Sequence, residues 1–510
     1  MTIRIDIQRT KIFNEMNESD KLKYFDCIKS KYIHHIDTLY YSVFIKNDII
    51  GNTPAGLLDM IEYLNNFKTI VEEVKEDIWF NAERTLLYKK RRIQMYEHCV
   101  SLNNYFDIFI ASSIPNENTP RIVIQLRSIG LWELGEYELL NKSYEVIKWL
   151  CKKFDFEIEK AQENRIDYCY HTNAIQSPVK YYNDDNILKH LRTSFRIGSK
   201  VFRLNDNSLS VEYLSLGNRK SNNIFFRSYN KVREVIEENY KEFFIDFWYS
   251  MRLINYYDKF VYSICYKEKR YDARYKAMCL FYIKYGQDPN IKKKYNDLLD
   301  RKSCSVEEFQ KAVTGVLPEP TLVMNIEFQT MRKFYYYGSD IINILPIRRT
   351  PGDDNLVRLF QILDNRKIFL DYLTSSTVAF VKDKNVKLCE DNKEEIYQDW
   401  WKRLRSTKIE ELKNERYKRV YPSNPNIEVL KRKIKSALAS ISILKGDYDS
   451  DINKDMSNLI CILNDNDMIV NEDGTVNIID DEYMRIKNKR KKALKSLHDG
   501  KSSSSPSEKN

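Results

Sequence analysis

The sequence predicts an α+β fold: a central, mostly antiparallel sheet that includes β-α-β units. Three observations carry that expectation. Apolar and polar residues alternate at strand spacing in "NRIDYCYH", "IFFRSYNK" and "TLVMNIEFQ". Between "RIVIQLRS" and "NRIDYCYH", the residues Leu140, Tyr144, Ile147, Cys151 and Phe154 form one apolar stripe at helical spacing. From about 235 to 318 the period is helical before it returns to that of a strand, as an excursion from a sheet would give. An apolar content of 43% with 13% aromatic residues is ample for a sizeable core in a chain of this length.

Residues 1–104 are expected to form a helical region, with Leu57, Leu58, Ile61 and Leu64 at helical spacing and the basic "LYKKRRIQMYEH" on a helix face. The strand period begins at "YFDIFIASSI". A β-α-β unit follows, with a strand at 121–128, a helix at 137–154 and a strand at 164–171. A helix at "DDNILKHLRTSF" leads into three antiparallel strands, broken by the turn-rich Asn205 to Ser208 and Gly217 to Asn222. The helical insertion of 235–318 and the strand "TLVMNIEFQT" complete a unit spanning 105–350. Residues 351–445 are predicted mostly helical, and 446–510 hold a small hairpin, "DMIVNEDGTVNIID", a basic helix and a disordered Ser-rich tail. No internal repeat is present. "NDNDMIVNEDG" lacks the glycine and glutamate spacing of a calcium loop.

Charge and motif content narrow the function classes. Lysine and arginine exceed aspartate and glutamate by 83 − 73 = +10, which suits a polyanionic partner. The nine cysteines include no CxxC pair and are odd in number, so reduced thiols and a cytoplasmic location are expected. No signal peptide and no apolar run of roughly 18 residues is evident, so no membrane partner is expected. GxxxxGK[ST] and GxGxxG loops are absent, which argues against nucleotide-driven chemistry.

Strand alternation groups the polar residues. Arg165, Asp167, Cys169 and His171 fall on one face of their strand; Asn325, Glu327 and Gln329 share a face; so do Phe225, Arg227, Tyr229 and Lys231. If those faces align in one sheet, Asp167, His171, Glu327, Tyr229 and Lys231 converge. Such a set has a chemical use. A phenol has a pKa near 10, so a nucleophilic tyrosine needs a cationic neighbour and an activated substrate. A divalent ion held by carboxylates polarises a phosphodiester. Each residue alone is more often ordinary packing or a solvated charge.

The order of "IVIQLRSIG", an amphipathic helix, "NRIDYCYH", "VEYLSLGNRKSNNIFFRSYNKVRE" and "MNIEFQTMRKF" resembles the Rep_trans family of rolling-circle replication initiators, which includes single-tyrosine relaxases of integrative conjugative elements. The matching segments are Arg165 to His171, Leu216 to Ser221, Arg227 to Glu234 and Asn325 to Phe328. The resemblance covers about 105–340 and implies an HUH/Rep-like sheet. It implies Tyr229 as the nucleophile that forms a 5′-phosphotyrosine and frees a 3′-OH; as cationic neighbours, Lys231 or Arg227 would lower the cost of the phenolate. It further implies Lys231 and Glu234 for phosphate contact and orientation, and Asp167, Glu327 and His171 as ligands of Mg²⁺ or Mn²⁺. Two positions depart from the family pattern: His171 stands where a second aspartate is expected, and Asn325 where an arginine is. The implied partners are origin DNA, both double-stranded and as an exposed single strand, a second copy of the chain, and a host helicase and polymerase. A conjugative relaxase and a catalytically silent DNA-binding regulator remain the alternatives.

Overall fold

The computed structural model describes residues 4–409, apart from short stretches of which 386–394 is the longest, and a few residues beyond, including one hairpin. It is an α+β structure in which one antiparallel sheet dominates. The chain divides into two units, 1–420 and 421–510.

The sheet's strands, in chain order, are β1 (Tyr32–Ile45), β2 (Ile78–Trp79), β3 (Leu86–Tyr88), β4 (His98–Leu102), β5 (Phe106–Ile110), β6 (Ile122–Leu126) and β7 (Ile158–Thr172). After β8 (Leu191–Thr193), which lies outside it, come β9 (Lys200–Asn205), β10 (Ser208–Leu216), β11 (Ile224–Asn230) and β12 (Met324–Met331). Their spatial order is β2-β3-β4-β5-β6-β1-β7-β12-β11-β10-β9. β13 (Val378–Phe380) pairs with β8 in a separate ribbon.

The expected β-α-β unit is present but split. β6 and β7 both run antiparallel to β1, which lies between them, so they are parallel to each other and joined through the helix Glu136–Phe154. The helix stripe is as expected: Leu140, Tyr144 and Ile147 are buried, and Cys151 and Phe154 pack against the same core. That core lies on one face of the sheet, where Ile36, Tyr168, Ile326 and Phe226 meet the helix Ala55–Val74, the helix Glu136–Phe154 and the pair Val357–Asp364 and Arg366–Tyr372. Gly56 is required where the first two helices touch, because a Cβ there would strike the carbonyl of Phe154.

The N-terminal region is a correction. Residues 1–104 are not simply helical; they supply β1 to β4, including the 14-residue β1 at the sheet's centre. Leu58, placed on the helix's apolar face by spacing, is exposed, and Met60 is buried instead. The segment "LYKKRRIQMYEH" is not a helix: Tyr88 ends β3, and the basic residues lie in the connection to β4. Alternation fails in β1 because its last residues bury on both faces and a bulge interrupts the register between Ile36 and Thr38.

The helical insertion follows the expectation. Helices Lys231–Glu237, Phe243–Ser250, Tyr256–Glu268, Arg274–Tyr285, Pro289–Leu299 and Val306–Val313 build a second core with the N-terminal residues Ile7, Ile12, Phe13 and Phe25. Asn255 and Ser305 close capping boxes with Asp258 and Glu308, which fix two of these helix starts. Between 353 and 409 the chain is mostly helical with β13 interposed. Of the 421–510 unit, the structure describes the hairpin β14 (Met468–Val470) with β15 (Val476–Ile478). The predicted basic helix, the Ser-rich tail, all of 410–433 and parts of both turn-rich breaks lie outside the described residues.

Candidate active site

Register alone assembles the site. Across β11, β12, β7 and β1, Arg227 faces Glu327, Glu327 faces Cys169, and Cys169 faces His35. One step along, Tyr229 faces Asn325 and Asn325 faces His171. In the other direction Gln329 faces Asp167. The polar face inferred from alternation is therefore real, and it is the face opposite the main core. The helical insertion walls it, with Trp248 and Phe244 packed against the His171 ring.

Tyr229 is 8% exposed and sits among its proposed partners. Its hydroxyl donates to Glu327 Oε2 at 3.3 Å and accepts from Asn325 Nδ2 at 2.9 Å and from Lys231 Nζ at 3.4 Å. Arg227 lies over its ring at 5.0 Å from the centroid. Lys231, the first residue of the helix after β11, is buried and also meets Glu234 at 3.1 Å and Asp37 at 3.6 Å. Glu234 is paired in addition with Lys241. Asn230 caps this helix by accepting from the Arg233 amide, so the strand-to-helix transition that sets Tyr229 beside Lys231 has a local cause.

Burial pushes the Tyr229 phenol well above its ordinary pKa; Glu234 and Glu327 add to the rise, while Lys231 and Arg227 oppose it. The phenol is thus neutral at rest, and attack requires a proton acceptor. Burial also raises the Glu327 carboxyl, to about 7, against the opposing charge of Arg227 and with the help of Asp167 and Asp37. Lys231 stays charged: burial works against its ammonium, but Asp37 and Glu234 outweigh it. Lys231, aided by Lys241, holds Glu234 and Asp37 below their usual range despite burial.

The three expected metal ligands do not fit an ion as a set. Asp167 is gripped by its strand neighbour Arg165, with Nε at 2.8 Å from Oδ1 and Nη2 on Oδ2. Glu327 Oε1 takes Arg227 Nε at 2.8 Å and Nη2 at 2.6 Å, and its Oε2 takes Tyr229 and Asn325. His171 Nδ1 accepts from Trp248 Nε1 at 3.0 Å, which leaves the proton of the neutral ring on Nε2. Both carboxylates are already engaged by fixed side chains, and of the His171 nitrogens Nε2 is without a hydrogen bond. Burial holds the His171 imidazole far below its ordinary pKa, so it is neutral.

Sequence reasoning missed two residues here, His35 and Asp37, which β1 carries into the same cluster as Cys169. Strand alternation in "IHHID" could have found them had β1 been recognised as a strand. Asn325, noted only as a departure from the family pattern, is the closest polar neighbour of the Tyr229 hydroxyl. Among the described residues, no helix is long and apolar enough to cross a membrane.

No family model matches the chain, and no curated protein matches it. Among solved structures, the chain is similar to a rolling circle replication initiator protein from Geobacillus stearothermophilus. The identity is 13%, the match covers 73% of this chain and 94% of that chain, and the TM-score is 0.33, a likeness too distant to bear on function.

Proposed function

We propose that this chain cuts and rejoins one strand of DNA through Tyr229, as the opening step of rolling-circle replication. The observation that carries the reading is the Tyr229 hydroxyl held between Lys231, Asn325 and Glu327 on a buried polar sheet face. A tyrosine serving only as packing does not need an ammonium, an amide and a carboxylate on one oxygen.

The chemistry follows from those contacts. The Tyr229 oxygen attacks the scissile phosphorus while its proton passes to Glu327 Oε2. The bond from phosphorus to the 3′ oxygen breaks, its electron pair leaves on that oxygen, and a proton from water completes the free 3′-OH. The 5′ phosphate remains on Tyr229. Lys231 Nζ, 3.4 Å from the attacking oxygen, offsets the charge that develops there and on the phosphoryl oxygens. Reversal of the same steps rejoins the strand. The freed 3′-OH then serves a host polymerase as primer. Basic residues around the sheet hold origin DNA through its phosphates, and a locally unpaired strand reaches the site.

The test is incubation with a supercoiled origin plasmid and Mn²⁺ or Mg²⁺, followed by mass mapping of the protein-DNA adduct. Nicked circles and an adduct on Tyr229 are expected, with both lost in Tyr229→Phe. Equal nicking by Tyr229→Phe, or no nicked circles with either ion, overturns the reading.

A further inference from the structure

We propose that His35, Asp37 and Cys169 form a binding site for a soft divalent cation of the Zn²⁺ or Co²⁺ class. His35 and Cys169 are paired across β1 and β7, and the bulge between Ile36 and Thr38 turns Asp37 toward them. One donor atom from each lies within 4.8 Å of the other two. His35 Nδ1 is 3.9 Å from Cys169 Sγ, too long for a strong hydrogen bond. That separation is close to the roughly 3.6 Å between two donors of one tetrahedral ion, given bond lengths of about 2.0–2.1 Å to nitrogen and 2.3 Å to sulfur.

A second observation points the same way. Asp37 Oδ1 is shut off from solvent and makes no hydrogen bond. The nearest cation recorded for Asp37 is Lys231 at 3.6 Å. A buried carboxylate oxygen with an ion pair but no hydrogen bond needs an explanation, and a ligand is one. By contrast, both oxygens of Asp167 and of Glu327 are taken by side chains of the fold.

The donor set selects the metal. An imidazole, a thiolate and a single carboxylate favour a borderline or soft ion over Mg²⁺, which prefers oxygen donors. Binding replaces the Cys169 thiol proton, which is released to solvent, so affinity rises with pH. The assignment goes beyond the nicking reading, because metal binding is measured without DNA and does not depend on Tyr229 being a nucleophile. Lys231 adjoins both centres, since it meets Asp37 and Tyr229.

The experiment uses the full chain, stripped of metal and titrated with Co²⁺ alone. One Co²⁺ per chain is expected, with sulfur-to-cobalt charge-transfer absorption in the near ultraviolet. That absorption is lost in Cys169→Ser. Asp37→Asn weakens binding at least tenfold, since even outer contacts to a metal cost about that much. Glu327→Gln and Asp167→Asn retain the spectrum. X-ray absorption of the unmodified Co²⁺-loaded chain, which needs no variant, shows one sulfur at bonding distance. No binding, a spectrum without sulfur, a spectrum unchanged in Cys169→Ser, or loss in Asp167→Asn with retention in Asp37→Asn overturns the assignment.

Discussion

Two knots of buried charge lie on the same face of the sheet, and only one of them has the parts for chemistry. At one end Asp107 on β5 is fully buried and takes Arg91 Nη1 and Arg127 Nε, each at 2.7 Å, with Lys89 at 3.8 Å. At the other end Asp167 holds Arg165, and Glu327 holds Arg227. Asp107, Gln125, Tyr40 and Arg165 stand in one register row, so the knots share a polar seam with Tyr40 between them. Both satisfy a buried carboxylate with guanidinium groups. The difference is what else the register delivers. Beside Glu327 stand a phenol, an amide, a thiol and two imidazoles; beside Asp107 the named partners are cations alone. Charge burial is thus a structural solution used at both ends, and the reactivity proposed for Tyr229 rests on the neighbours added at one of them.

The largest contrast is expected between the two carboxylates. Glu327→Gln removes the acceptor for the Tyr229 proton and lowers the nicking rate by about a hundredfold or more in a plasmid assay, with the fold kept. Asp107→Asn leaves nicking by the folded fraction unchanged but strands Arg91, Arg127 and Lys89 together. Its cost is about 2–3 kcal/mol in denaturant unfolding, below that of breaking a fully buried pair, because Arg91 is 42% exposed and Arg127 25%. Equal nicking loss in both variants would merge the two knots into one site.

The next contrast concerns DNA. Arg91 and Arg127 are open enough to reach phosphate, so Arg91→Ala weakens binding to all sequences alike and reduces the salt slope by about one. Arg227→Ala acts on the rate more than on affinity. A sequence-selective loss in Arg91→Ala, read by filter binding at several salt concentrations, would count against the phosphate role.

The smallest effect is in acid. His98 on β4 is held neutral by burial, with its pKa brought down to about 4. Tyr88 Oη lies at 2.7 Å from Nδ1 and Ser112 Oγ at 3.1 Å from Nε2. Glu97 favours the charged ring, while Lys68 and Arg92 oppose it. The unfolded chain protonates near 6.5, so the stabilising contribution is complete above 6.5 and is lost as pH falls from there to about 4. The thermal midpoint of the native chain should fall more steeply over that window than that of His98→Gln.

Much of the reactive half was legible in the sequence. Alternation placed Asp167, Glu327, and Arg227 with Tyr229 each on the more polar face of its own strand, and the register of β7, β12 and β11 brings those faces together. The partners of those residues were not legible. Arg165 and Asp167 are two apart on one strand, a spacing that shows adjacency but not that the arginine occupies the carboxylate. β1 escaped notice because its bulge breaks the period at Asp37 and because Phe44 and Ile45 both bury. With β1 went His35 and Asp37. His171 shared the right face, yet only the packed insertion reveals Trp248 on its nitrogen.

The position of β12 has a consequence for how the molecule is assembled. β12 pairs with β7 on one side and β11 on the other, although β11 precedes it in the chain by the whole helical insertion. A nascent chain that has not yet emitted Met324 therefore carries two unjoined edges, β7 and β11, and lacks the Asn325 and Glu327 of the proposed site. Pairings this distant in sequence close slowly, and open edges invite the wrong neighbour. The insertion's own core, drawn from local helices and the N-terminal residues, can form during that wait and bring β12 to its slot. The contacts of the Tyr229 hydroxyl with Asn325 and Glu327 thus form only when the last central strand docks, so on the proposed function an incompletely made or misfolded copy would be unable to cut DNA.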